Sequence, residues 1–191
     1  MATDTANSRP GGTGLFDAIA VARELTIALM LAACASTLPP QPAALPENLR
    51  VPEGQPLLLR AAARGVQIYT CKAKAAEPAA FEWVLKAPEA ELFDQNGAKI
   101  GRHHAGPTWE TADGSRVVGE VVQRWPVQGA VPWLLLRAKS NEGAGALASA
   151  EYIQRIDTIG GVAPSAGCDA AHAGAEVRVD YSANYDFYGT R

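Results

Sequence analysis

The chain is short of charge. Asp, Glu, Lys and Arg make up 19% of it, below the usual quarter, and no long run of one sign occurs. Lys and Arg are scattered through a sequence of formal net charge −3. No basic stripe is available to hold a phosphate backbone, so nucleic acid is not an expected partner. Cysteine is scarce too: Cys34, Cys71 and Cys168 stand far apart, without the C-x-x-C spacing of a zinc ribbon or a thioredoxin-like site. With only three histidines, no metal and no cofactor is expected. The longest apolar run, LTIALMLAA at residues 25–33, is shorter than the roughly 20 residues of a bilayer-spanning helix. Beyond residue 57 no apolar stripe of helical period exceeds about ten residues. A G-x-G-x-x-G turn after a strand is missing, and so is a G-x-S-x-G elbow. These absences argue against a dinucleotide-binding fold and an α/β-hydrolase. Gly11-Gly12-Thr13-Gly14 lies upstream of the apolar run and cannot serve as such a turn.

What is present begins with that run. It ends in Leu31-Ala32-Ala33-Cys34, small residues before a cysteine, the pattern of a bacterial lipobox. Residues 1–35 are therefore read as a signal peptide with Cys34 as the lipidation site. Ala33-Cys34-Ala35 also satisfies the rule for ordinary cleavage before Ser36. An N-terminal helix over residues 16–35, packed on the domain, is the structural alternative. Residues 36–56 follow as a tether, carrying six of the thirteen prolines; proline fixes φ and removes a donor, which favours extended chain. The protein is thus expected to be exported, as a periplasmic or outer-membrane lipoprotein or else secreted, touching membrane only through a lipid at Cys34. Two cysteines in an exported domain point to a Cys71–Cys168 disulfide, with two buried thiols as the alternative. Closing so long a loop is worth about 4–5 kcal/mol in the chain-entropy treatment.

Residues 57–191 are read as one all-β domain, because the dominant period there is two. Val177, Val179, Tyr181, Ala183, Tyr185 and Phe187 alternate with polar residues, the pattern of a long half-buried strand. Phe81, Trp83 and Leu85 alternate likewise. Trp133-Leu134-Leu135-Leu136 reads as a strand buried on both faces. Asp113-Gly114 between two strand patterns predicts a hairpin, and Asn96-Gly97 and Ala63-Arg64-Gly65 read as further tight turns. Residues 144–150 leave room for a turn or two of helix. The spacing predicts a β-sandwich or a barrel of about 8–10 mostly antiparallel strands.

The chemically richest stretch is residues 101–110, GRHHAGPTWE. His103, His104, Trp109, Glu110 and Asp113 are the candidate ligand site. In an extended strand His103 and His104 face opposite ways, so they can chelate one metal only if Gly101, Gly106 and Pro107 bend the chain and Glu110, Asp113 or His172 joins them. A hydrolytic or metal-assisted site would need His103 to meet a carboxylate and a third group, such as Asp113 and Ser115. Ser115 follows a turn, where serines commonly bond backbone. In the structural reading Trp109 fills core and His103 bonds a backbone carbonyl. The remaining aromatics, Trp83, Trp125, Trp133, Tyr181, Tyr185 and Tyr188, could join Trp109 as a stacking platform, although strand periodicity fits inward-facing core as well.

The motifs GRHHAGPTWE and DGS at residues 101–115, WLLL at 133–136, YIQRI and TIGG at 152–161, Pro164, Cys168, and YSANYDFY at 181–188 occur together in this order. Over residues 51–188 the chain resembles the domain of unknown function 3455 family of bacterial and fungal exported proteins. The resemblance implies a family without an established activity and carries over no catalytic residues. Some fungal relatives bear a malate dehydrogenase label, which this chain does not support, since the βαβ fold of such enzymes is missing. The reading that follows is a non-catalytic envelope domain that binds a small molecule, a glycan or an envelope protein. An enzyme centred on residues 103–110 and a purely structural surface domain are the alternatives.

Overall fold

The alternation read from residue 57 onward becomes eight antiparallel strands, closed into a barrel in chain order. The structure is a computed structural model and describes residues 44–190. The expectations for the leader, for Cys34 and for the first part of the tether fall on residues 1–43, outside the described residues. The strands are β1 (Leu57–Ala73), β2 (Phe81–Phe93), β3 (Lys99–His104), β4 (Thr108–Thr111), β5 (Arg116–Val127), β6 (Ala130–Glu142), β7 (Ala150–Gly160) and β8 (Glu176–Gly189). Of the two expected architectures the barrel is the one formed: β8 pairs back onto β1 from Thr70 to Leu57, which leaves no open sheet edge at the ends of the chain.

The odd-numbered face of β8 turns inward, and Tyr181, Ala183, Tyr185 and Phe187 join the core with Leu92, Ile153 and Leu136. Burial of a side chain such as Phe187 or Ile153 contributes roughly 2–3 kcal/mol each. The WLLL run is explained by two coverings. Leu134 and Leu136 point into the core, whereas Leu135, paired with Gln154 across β7, points out and is still buried. The outer cover is the end of the Pro-rich segment. A single 3-10 turn, Glu47–Leu49, lies against β5 and β6. Leu49 is 0% exposed, and its carbonyl accepts a bond of 2.6 Å from Gln154 Nε2. The compact unit therefore begins at Ala44, and the segment read as tether finishes as a strap on the barrel wall.

Two local readings are corrected. Ala63-Arg64-Gly65 is no turn: all three lie within β1, paired with β2 and β8. Gly65 is needed there because a Cβ would fall 2.1 Å from the Glu89 carbonyl oxygen of the next strand. Residues 144–150 form two consecutive turns, closed by Ala148 N–H to Gly145 O and Ala150 N–H to Leu147 O, and no helix. The hairpins at 96–97 and 113–114 form as read.

The two ends of the barrel differ. At one end the β6–β7 loop, residues 143–149, drops Leu147 into the core at 0% exposure. Asp113 anchors that loop by accepting from Ala146 N–H, and Ser115 Oγ accepts from Leu147 N–H. At the other end lie the β3–β4 turn, residues 105–107, and the long β7–β8 loop, residues 161–175. The Cys71–Cys168 disulfide joins that loop to β1. Tyr69 OH donates to Gly161 O at 2.6 Å, and Trp83 Nε1 to Ala166 O at 2.9 Å.

Strand length opens the wall at this second end. Short β3 pairs with β2 only through Ala90 to Phe93, and β4 pairs with β5 only through Arg116 to Val118. Past the tip of that hairpin the facing edges of β2 and β5 run on without a strand between them. Pro88 sits on the free edge of β2, where its missing N–H costs no ladder bond.

Candidate functional site

The gap between β2 and β5 leads into a cavity of about 240 Å³. Its inner wall is built by strand alternation. β3 sends His103 in and β4 sends Trp109 in, since the two residues are register partners. The rings stack at 4.4 Å with 9° between planes. Tyr185 of β8 meets both, at 5.1 Å from His103 and 5.3 Å edge-on to Trp109. Phe187 lies below, edge-on to Trp109 at 5.9 Å, and seals the apolar half. Gln67 of β1 and Arg155 of β7 complete the wall on the far side.

His103 is 3% exposed, and its Nδ1 donates to Thr108 O at 2.8 Å. A carbonyl can only accept, so the proton sits on Nδ1 and Nε2 keeps its lone pair. Burial pushes the imidazole pKa down to about 3, against the bond to Thr108 and with help from the Arg155 charge. His103 is therefore neutral at physiological pH. Burial raises the phenol pKa of Tyr185, and Arg155 opposes that shift.

The other candidate residues do not come together with His103. His104 points outward beside Glu110, with Nε2 3.3 Å from Oε1. Glu110 also takes Arg102 Nε at 2.7 Å, and Arg102 foremost, then His104, holds its carboxyl below the usual range. Asp113 belongs to the β4–β5 turn, where Oδ1 accepts from Thr111, Ser115 Oγ and Ser115 N–H. Backbone and hydroxyl donors hold it far below the ordinary carboxyl pKa. The His103–Asp113–Ser115 arrangement needed for hydrolysis is not assembled. His172 bonds Asp169 in the β7–β8 loop. Among the described residues no three His, Cys, Asp or Glu side chains group to hold a metal ion.

The aromatic platform is likewise divided. Trp109, Tyr181 and Tyr185 are interior. Trp125 and Trp133 pair across β5 and β6, and Trp125 is exposed. Trp83 binds the β7–β8 loop, and Tyr188 lies beside Asp186 on the outer face.

The sequence reading missed Gln67, Arg124 and Arg155. The available signal was a polar residue in an apolar position of the strand rhythm. Gln67 continues the Ala61, Ala63 face of β1, and Arg155 the Ile153 face of β7.

A closed eight-stranded barrel, packed with apolar side chains at one end and holding a polar, aromatic-walled cavity at the other, defines the class of this domain. The chain belongs to the family described as Protein of unknown function (DUF3455), which matches residues 52–189. No curated protein matches the chain, and no solved structure does. The disulfide fits an oxidising, extracytoplasmic environment.

Proposed function

We infer that this domain is a non-catalytic binding barrel of the cell envelope, taking a small molecule into the open half of its interior. The observation that carries the reading is an inner wall with buried polar atoms and no protein partner. Gln67 Nε2, Trp109 Nε1 and the hydroxyl of Tyr185, all from lining residues, are buried and unbonded. Leaving such groups unpaired costs about 1–3 kcal/mol each, so a wall that keeps several is built for a guest or for ordered water. A purely structural barrel would be expected to fill this space with Leu and Ile, as the opposite end does. The volume is just under the range of about 300–1,000 Å³ for drug-sized ligands. That suits a molecule of one ring or a short chain better than a glycan or a folded partner. Export fits this reading: a signal peptide read over residues 1–35, a lipid on Cys34, and a tether from membrane to barrel.

Val121 lines the cavity from β5, with its register partner Leu136 on β6. Val121→Trp should fill the space. Small aromatic and aliphatic compounds, neutral and charged, would be screened by ligand-observed NMR against the full chain and this variant. Compounds that bind the wild type and are lost from the filled variant are the expected result. A panel that binds both proteins equally, or neither, overturns the binding reading.

A further inference from the structure

The cavity has a sign as well as a shape. The chain carries net charge −3, yet the cavity lining includes Lys86, Arg124 and Arg155 and no Asp or Glu. Lys86 is neutralised by Glu176 on the outside. Among the described residues neither Arg124 nor Arg155 forms an ion pair. Arg155 directs Nε and Nη2 to Pro132 O, at 3.0 and 2.8 Å. A single carbonyl fixes the guanidinium without neutralising it, and Nη1 bonds no described residue. A half-buried cation held in place without a counter-charge is an expensive arrangement unless something anionic visits it.

Uncharged donors stand around it. The unbonded Gln67 Nε2 and Trp109 Nε1 are donors only, and the unbonded Tyr185 OH is able to donate. Tyr181 OH is also buried and unbonded, but Tyr181 does not line the cavity. The lining also offers two neutral acceptors, His103 Nε2 and Gln67 Oε1, but no carboxylate, so two arginines without an acidic partner beside these donors ask for an oxygen-rich, negatively charged group. The rest of the lining is apolar: Leu134, Leu136 and Val121, with Leu85 at the lip. There is no helix N-terminus and no ring of backbone N–H groups of the kind that cradles a phosphate.

Building on the binding reading above, we propose that the cavity takes a small organic monocarboxylate. The carboxylate sits on Arg155 among the Gln67, Trp109 and Tyr185 donors. The apolar body lies along Leu134, Leu136 and Val121 toward the gap, and Arg124 at the rim draws the anion in.

The test uses benzoate and its neutral isostere benzamide as probes of the full chain, measured by calorimetry and by ligand-observed NMR. Benzoate should bind at least about tenfold more tightly, the difference expected for hydrogen bonds to a charged group. Arg155→Met keeps the length of the side chain and should abolish that preference. Arg124→Gln, at the exposed rim and away from the packed wall, should weaken benzoate and leave benzamide unchanged, which covers the case of a misfolded Arg155 variant. Equal binding of the two probes would overturn the carboxylate assignment and leave the binding barrel standing. Binding of neither probe, while other compounds still distinguish wild type from Val121→Trp, also overturns it. A Val121→Trp screen in which no compound binds either protein, or every compound binds both equally, removes both readings.

Discussion

A histidine sealed inside a sheet gives up its proton in order to stay there, and His103 does so with consequences in acid. Its folded pKa of about 3 lies below the ordinary value of 6.5. Above pH 6.5 both folded and unfolded forms are neutral and the stability is complete. As the pH falls, the unfolded chain takes up a proton that the folded chain refuses. Stability is then lost at up to about 1.4 kcal/mol per pH unit, until the folded pKa is reached. Between pH 6.5 and 5, above the carboxylate range, the loss from this residue amounts to about 1.6 kcal/mol. His103→Gln should remove that part of the slope, whatever its stability at pH 7, as read from denaturant unfolding at several pH values. Equal slopes in the two proteins would mean that His103 is solvated. At this scale the sequence was informative about direction: one of two adjacent histidines had to enter the barrel, and a bond from it to backbone was foreseeable. Nothing in the sequence tells which strand lies opposite. Arg155, over 50 residues from His103 in the chain, becomes its neighbour only through the closure of β8 onto both flanking strands. Glu110 and Asp113 were candidates by proximity in sequence. The alternation of β4 and the turn after it send them elsewhere.

At the scale of elements, strands with strict alternation were legible and irregular ones were not. β8 reads directly from its sequence. β2 changes its inward face at a bulge: Ala87 pairs with Ile68 and Leu85 with Tyr69, leaving Lys86 between them. No residue type announces that bulge, and so the lip formed by Leu85 was invisible. Gly65 misled for a related reason, because glycine serves both tight turns and close strand contacts, and only the partner strand decides. Proline spacing suggested an extended tether over residues 36–56 and hid the strap that its described part forms on the barrel wall. The strap makes a testable claim. Leu49 is fully buried on the outer wall and its carbonyl is held by Gln154. Leu49→Ala should therefore lower stability by about 2–4 kcal/mol, the range for emptying a buried leucine site, read from the denaturant midpoint. A change below about 0.5 kcal/mol, the size of a surface substitution, would show that the strap is not docked in solution.

At the scale of the molecule, the barrel is asymmetric along its axis, and the asymmetry bears on where it works. The apolar end is closed by Leu147 and needs no further covalent help. The open end keeps its unbonded donors and is roofed by a loop that the disulfide ties to β1. That cross-link spans 97 positions, enough to contribute about 4–5 kcal/mol through the unfolded chain. A reducing compartment would forfeit that contribution at the end where the cavity lies, so the disulfide fits an oxidising, extracytoplasmic environment. The apolar run before Cys34, read as a signal peptide, would supply the route there. A lipid on Cys34 would make the Pro-rich segment a tether between membrane and barrel. Labelling of expressing cells with a palmitate analogue should tag the wild type and leave Cys34→Ala untagged, while both still form the Cys71–Cys168 bridge. Equal labelling of the two proteins would place the lipid elsewhere. An untagged wild type whose mature chain begins at Ser36 would replace the anchor with free secretion, and the barrel would then be a carrier rather than a tethered receptor.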